Sequence, residues 1–240
     1  MVNLRGGVEG HQFRYLFKVL EVEHGYETPR GVEAYERGKA LGNLSHITYG
    51  TPIAYAVTPR AIADKIPILT PGFGRADATD GKTFPYVFPL AASYWSQAAA
   101  ITKFIAEGVG GEANLKGKKI ALLYYDNPFG REPIPVYQEL AKRFGFELGL
   151  FAATPPALVQ DAQWTDIARR FKADWVVTQL AGGSCAVSIK EALRVGFPLD
   201  RMVAHVWCGG EQDPTIAGAA ASKGYIAAQF TGVGKDHPVI

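Results

Sequence analysis

From Phe13 through Tyr15, Phe17 and Val19, apolar side chains alternate along the chain, the two-residue period of a strand with one buried face. The pattern then changes. Thr28 and Pro29 predict a helix, with the threonine as N-cap and the proline at the first helical position, running through Val32, Tyr35 and Leu41. Short apolar runs recur at 45–49, 66–70, 119–125, 146–151, 175–180, 202–207 and 225–230 and read as strands. Helical stretches lie between most of them, at 52–65, 94–108, 130–144, 162–171, 184–195 and 214–221. Strands alternating with helices of this length imply right-handed crossovers and parallel sheets covered on both faces. The class is α/β. One stretch breaks the alternation: 71–93 contains Gly and Pro and carries a single short apolar run at 86–88, which places a crossing between two lobes there. No internal repeat and no low-complexity tract is present.

Composition narrows the function classes. A chain of 240 residues with 48% hydrophobic side chains buries enough surface to need neither disulfides nor metals. Lys plus Arg number 25 against 23 Asp plus Glu, and the basic residues form no run. A nucleic-acid groove and a polybasic membrane patch are therefore not expected. The apolar runs are far shorter than the ~18 residues needed to span a bilayer. The first ten residues are polar and Gly-rich, without the apolar core of a signal peptide.

Motifs for chemistry are sparse. Gly72-Phe73-Gly74 follows a strand but has Asp77 where a dinucleotide fingerprint needs its third glycine. There is no Walker A lysine motif, HExxH or CxxC, and histidines 11, 24, 46, 205 and 237 stand apart, so neither a metal site nor a cofactor is expected. Cys185 and Cys208 form one disulfide or remain two core thiols, and the sequence leaves both open. Gly182-Gly183-Ser184-Cys185-Ala186 is similar to the nucleophile elbow of α/β-hydrolases, with Asp213 and His237 following in the required order. The plainer reading makes Ser184 a helix N-cap, and that reading is preferred: no enzymatic activity is expected. Tyr94, Trp95, Phe129 and Trp207 all lie near strand-to-helix junctions or the lobe crossing, where open parallel sheets bind ligands.

Several stretches together resemble one family. Asn3-Leu4-Arg5-Gly6-Gly7-Val8-Glu9-Gly10 is similar to the "IN-x-x-GGV-x-G" segment of the periplasmic binding proteins of branched-chain amino acid ABC transporters. Gly50-Thr51-Pro52 with Ala54 and Pro59 resembles the family's ligand loop, Thr70-Pro71-Gly72 its "SPG" loop and Pro85-Tyr86-Val87-Phe88 its "PYVFR" crossing. Tyr125-Asp126-Asn127-Pro128-Phe129-Gly130 matches "DDxYG", and Ala192-Leu193-Arg194-Val195-Gly196 matches "AxxxG". The order is collinear over the whole chain.

The resemblance implies a type I periplasmic binding protein fold: two doubly wound parallel-sheet lobes joined by hinge crossovers. It assigns 1–92 to a first lobe, 93–228 to a second and 229–240 to a return crossover. It also implies a fragment lacking both ends, with the first lobe incomplete. The function implied is extracytoplasmic solute binding for an ABC importer. A small carboxylate, amino acid or amide would lie between the lobes, permease subunits would be the partners, and membrane contact would come only through the transporter. A ligand-sensing regulator with the same lobes is the competing reading.

Site residues follow from the same resemblance. Thr51 matches the family's ligand-binding Ser or Thr, and as an N-cap with free amides at Ile53 and Ala54 it would favour a carboxylate. Phe73, Gly74 and Arg75 occupy the second ligand loop, where Arg75 is expected as a clamp on the carboxylate or as a solvated side chain. Phe129 replaces a stacking tyrosine, and Ala181 stands where amino acid binders carry another tyrosine. Trp207 is expected to add apolar surface. Glu211 is the carboxylate nearest to the family's ammonium-binding acid, displaced by a few positions. These departures favour a carboxylate or amide as much as an α-amino acid.

Overall fold

The computed structural model of the chain describes residues 19–71 and 74–230, together with Gly6, Glu9 and Gly232. The alternating segment at 13–19 lies, apart from Val19, outside the described residues, as does nearly all of the expected return crossover.

The first lobe opens with helix α1 (Thr28–Ala40), followed by β1 (His46–Ile47), α2 (Thr51–Asp64), β2 (Ile68–Thr70) and β3 (Val87–Pro89). The three strands form a parallel sheet in the order β1-β2-β3, with Ile68 opposite both His46 and Val87. Tyr35 of α1, Ile53, Val57 and Ala61 of α2, and Ile68 form its core. The run at 86–88 is thus a strand of this lobe, and only residues 90–93 pass from it to the next helix.

The second lobe holds α3 (Tyr94–Gly108), β4 (Lys119–Tyr125), α4 (Pro128–Arg131), α5 (Ile134–Phe144), β5 (Glu147–Ala153), α6 (Asp161–Thr165), β6 (Trp175–Gln179), α7 (Gly183–Val195), β7 (Met202–Ala204), α8 (Gln212–Gly218) and β8 (Ile226–Ala227). Its five strands are parallel in the order β5-β4-β6-β7-β8. Counted along the chain this is a 2-1-3-4-5 sheet, in which the winding reverses between β4 and β6. Strand periodicity sends Ala121 and Leu123 into one core with Ile167 and Ile189, and Ile120 and Leu122 into another with Ile101 and Tyr137. Both faces are covered, so every residue of β6 is buried.

Several expected elements differ. The helix expected at 130–144 is broken into α4 and α5, because Pro133 has no amide to donate and Pro135 follows it in the first turn of α5. Gly130 in α4 lies so close to the Tyr125 carbonyl that an added Cβ would sit 1.9 Å from its oxygen. The helix expected at 162–171 is α only to Thr165 and continues as a wider π turn over Asp166–Phe171. The strand expected at 202–207 ends at Ala204, and Val206–Cys208 form a 3-10 turn. At the starts of α1 and α2, Glu27 and Gly50 hold the N-cap positions. Thr28 and Thr51 are the first helical residues, which corrects the expected threonine caps.

Candidate functional site

At the carboxyl ends of both sheets the lobes enclose a cavity of about 490 Å³. Open parallel sheets bind ligands at this end, beside the point where the winding reverses. Tyr125 and Phe129 follow β4, Pro155 and Pro156 follow β5, Ala181 and Gly182 follow β6, and Trp207 follows β7. From the first lobe come Thr48 to Thr51 and Ala54 after β1, and Pro71 and Gly74 after β2. Gly25, Tyr26 and Tyr94 complete the lining. No Asp, Glu, Lys, Arg or His is among these residues.

Gly50 opens the first-lobe side because its φ of 108° suits glycine, and a Cβ there would meet the Tyr26 ring at 2.9 Å. Immediately after it α2 begins, with Thr51 buried at its first position. Pro52 has no amide, and the Ala54 amide donates to the Gly50 carbonyl at 3.0 Å. The free donor expected at Ala54 is therefore engaged, and the first-turn amides left are those of Thr51 and Ile53. Thr48 is 2% exposed, lines the cavity, and among the described residues its hydroxyl has no hydrogen-bond partner.

The second lobe presents rings held by polar contacts. Trp207 donates its indole N–H to the Tyr94 hydroxyl at 2.6 Å, and a Thr51 hydrogen bond reaches the same hydroxyl from the other lobe. Burial raises the Tyr94 hydroxyl well above its ordinary pKa, so it is neutral. The Tyr49 ring lies 6.2 Å from that of Trp207, a second contact between lobes. Phe129 packs edge-on against Tyr94 and Tyr125, at 5.4 and 5.8 Å. The Tyr125 hydroxyl joins three loops through Ala181 O at 2.8 Å, Pro156 O at 3.1 Å and Ser184 Oγ at 2.8 Å.

Beneath Trp207 the 206–208 turn is fixed from several sides. Gln97 Oε1 accepts from the Val206 amide at 3.2 Å and faces His205 Nδ1 at 3.3 Å. An amide oxygen only accepts, so Nδ1 carries the proton and Nε2 accepts from the Tyr137 hydroxyl at 2.9 Å. Burial pushes His205 down to about 3, which keeps it neutral in this network. Cys208, next to Trp207, is bonded to Cys185 in the first turn of α7. The question left open by the sequence is thereby answered: the two cysteines pair, and they tie together the loops that carry Gly182 and Trp207.

Of the expected site residues, Thr51, Gly74, Phe129, Ala181 and Trp207 line the cavity. Phe73 lies outside the described residues. Arg75 does not reach the lining: its guanidinium pairs with Asp77 at 3.1 Å and lies over the Tyr55 and Phe84 rings. The clamp expected of it is engaged within its own lobe. Glu211 is exposed at the N-cap position of α8 and away from the lining. Ser184 is completely buried at the second position of α7, where its hydroxyl donates to Ala181 O at 2.8 Å. It is neither the N-cap nor the exposed nucleophile of an elbow, and its neighbour is the bonded Cys185. His237 lies outside the described residues. Sequence reasoning missed Thr48, Tyr26, Tyr49, Tyr125 and the Pro155-Pro156 pair, although Thr48, Tyr49 and Tyr125 fall at the ends of expected strands and the proline pair follows another.

Comparison with known proteins bears on the family and the fold. A family described as periplasmic binding protein matches residues 1–236. A crystal structure titled as an ABC transporter permease from the Pseudomonas fluorescens group shares 37% identity and a TM-score of 0.81, over 99% of this chain and 57% of that one. A branched-chain amino acid ABC transporter protein from Thermus thermophilus with bound valine has 23% identity and a TM-score of 0.75, over 91% of this chain and 55% of its own. An R. palustris solute-binding protein in complex with benzoate has 18% identity and a TM-score of 0.69, over 82% of this chain and 53% of its own. Among curated proteins, none matches the sequence. The chain thus spans just over half the length of the solved structures it is similar to.

Proposed function

The chain belongs to the periplasmic binding protein family, and on that premise we propose that it binds a small organic carboxylate between its lobes for an ABC importer. The observation that carries the ligand class is the cavity lining, rich in aromatic rings and, among the described residues, without Asp, Glu, Lys, Arg or His. An ammonium group entering such a site would lose water without gaining a counter-charge. A carboxylate has donors: the hydroxyls of Thr48 and Thr51 and the first-turn amides of α2, whose dipole favours negative charge. Phe129, Trp207 and Tyr49 offer faces for an apolar body, while Gly74 and Ala181 leave room beside them. A ring or short branched chain fits a volume of about 490 Å³. The binding proteins solved with valine and with benzoate bracket this range.

Binding is the activity proposed, without bond cleavage, and the partners are the permease subunits of the importer. An extracytoplasmic location is favoured by the family and by the Cys185–Cys208 bond, since disulfides persist in oxidising compartments. The test is calorimetry on the complete protein with acids paired to their amino analogues: benzoate, phenylacetate and 4-methylpentanoate against phenylalanine, leucine and valine, with benzamide as the neutral control. At least one acid is expected to bind ten times or more tighter than every amino acid. Tighter binding of leucine or valine would reject the ligand class, and hydrolysis of ester analogues would reject the non-enzymatic reading.

A further inference from the structure

Glu132 lies outside the cavity lining and has no part in the binding described above, yet it joins the two lobes. It sits between α4 and α5 in the second lobe, and its Oε1 accepts the amide of Ala76 in the first. The Arg75 amide faces the same carboxyl group. Arg75 has a positive φ of 71° and opens the 3-10 turn Ala76–Thr79, so two successive amides form a small concave donor set. Gly74, one residue earlier, lines the cavity and packs on Thr51. The main chain at Glu132 is itself held, because Trp95 of α3 donates its indole N–H to the Glu132 carbonyl at 3.1 Å.

We propose that Glu132 is a positioning residue of the ligand cleft: its carboxyl group latches the second lobe onto the amides behind Gly74, and does so in the protonated form. The proposal uses the reading of the cleft as one between lobes that close, but not the identity of the ligand. Three observations support it. Glu132 is 7% exposed, and among the described residues its Oε2 has no hydrogen-bond partner. A full negative charge with one oxygen unsatisfied is costly away from water, and a neutral acid with its carbonyl oxygen on Ala76, which leaves only an unpartnered O–H, costs less. The charged groups facing it are the guanidinium of Arg75 and the carboxylate of Asp77, which are paired with each other and leave little net field. Its other titratable neighbours are the hydroxyls of Tyr26, Tyr55 and Tyr94, all raised by their own burial and neutral.

Burial accordingly pushes the Glu132 carboxyl up to about 7; the Ala76 amide opposes the rise and Asp77 adds to it. Facing water in an open cleft, the same group would return toward its ordinary value of 4.5. Closing therefore takes up a proton between these two values. The closed form is favoured as pH falls through about 7, and the gain is complete below the lower value. By linkage the ratio of closed to open molecules rises about twentyfold from pH 7.5 to pH 5.5.

The test needs no ligand. Small-angle scattering of the complete protein at pH 7.5 and 5.5 is expected to show a more compact wild type at the lower pH. Glu132→Gln, a neutral isostere that keeps the acceptor, is expected to be compact at both, and Glu132→Ala extended at both. Carboxyl-carbon resonances in the compact state should place the Glu132 midpoint near 7. Equal dimensions of the wild type at the two pH values, or a Gln variant that follows the wild-type pH dependence, would overturn the latch. Neither result touches the solute panel, so the two readings fail separately.

Discussion

Among the described residues, the sheet of the second lobe is covered by apolar clusters on both faces, whereas the three short strands of the first share one small core around Tyr35, Ile53 and Val57. Ile47 of β1 is 60% exposed and Phe88 of β3 is 47% exposed, while every residue of β6 is buried. The two halves of the cavity differ in the same sense. The well-packed lobe supplies aromatic surface locked by hydrogen bonds, and the lightly packed lobe supplies the polar donors at Thr48 and Thr51.

The comparison breaks first if equivalent truncations in the two sheets cost the same. Leu123→Ala, in a strand buried on both faces, is expected to lower stability by about 3 kcal/mol or more, and Ile47→Ala by less than about 0.5 kcal/mol. Urea unfolding monitored by far-UV dichroism measures both. Replacing Cys185 and Cys208 by alanine removes a link across 23 residues and should cost about 3 kcal/mol. Hydrogen exchange would place that loss within the second lobe, and loss spread equally over both would contradict the picture. In the unmodified protein, amides of β1 to β3 are expected to exchange at least about a hundredfold faster than those of β4 and β6. The smallest effect is the most specific. Thr48→Val removes an unpartnered buried hydroxyl, so the ligand-free protein should melt unchanged or slightly higher, while affinity for the preferred acid falls by about 1 kcal/mol. A variant that loses stability and keeps affinity would show that Thr48 serves the fold and not the ligand.

Much of the fold was legible because its signals are local. Expected and observed bounds coincide for β4, a continuous apolar run, and for α3, whose Ser93 cap accepts the Ser96 amide. Where the reading failed, the deciding partner lay elsewhere. Glycine took the cap of α2 because Tyr26 closes over it from a distant turn, and Pro133 divided a helix that periodicity alone continued. The expectation of Arg75 as a clamp or a solvated side chain rests on its flanking glycine and charge, whereas its covering rings, Tyr55 and Phe84, come together only in the fold. The cavity was half legible. Thr51, Gly74, Phe129 and Ala181 stand in family-like segments and Trp207 ends an expected strand, but Tyr26 enters only through tertiary packing, and Tyr125, which opens a matching segment, is tied to the other loops only by its hydroxyl contacts.

The position of Trp207 has a practical consequence. Trp164 and Trp175 are buried in the second lobe, Trp95 borders Glu132, and Trp207 alone of the four lines the cavity, with its ring against Tyr49 of the opposite lobe. An indole at that boundary changes its surroundings whenever the cleft fills or closes. The protein therefore carries its own optical gauge: the emission of Trp207 should report occupancy without any attached dye, and a Trp207→Phe variant supplies the blank against which the signal is read.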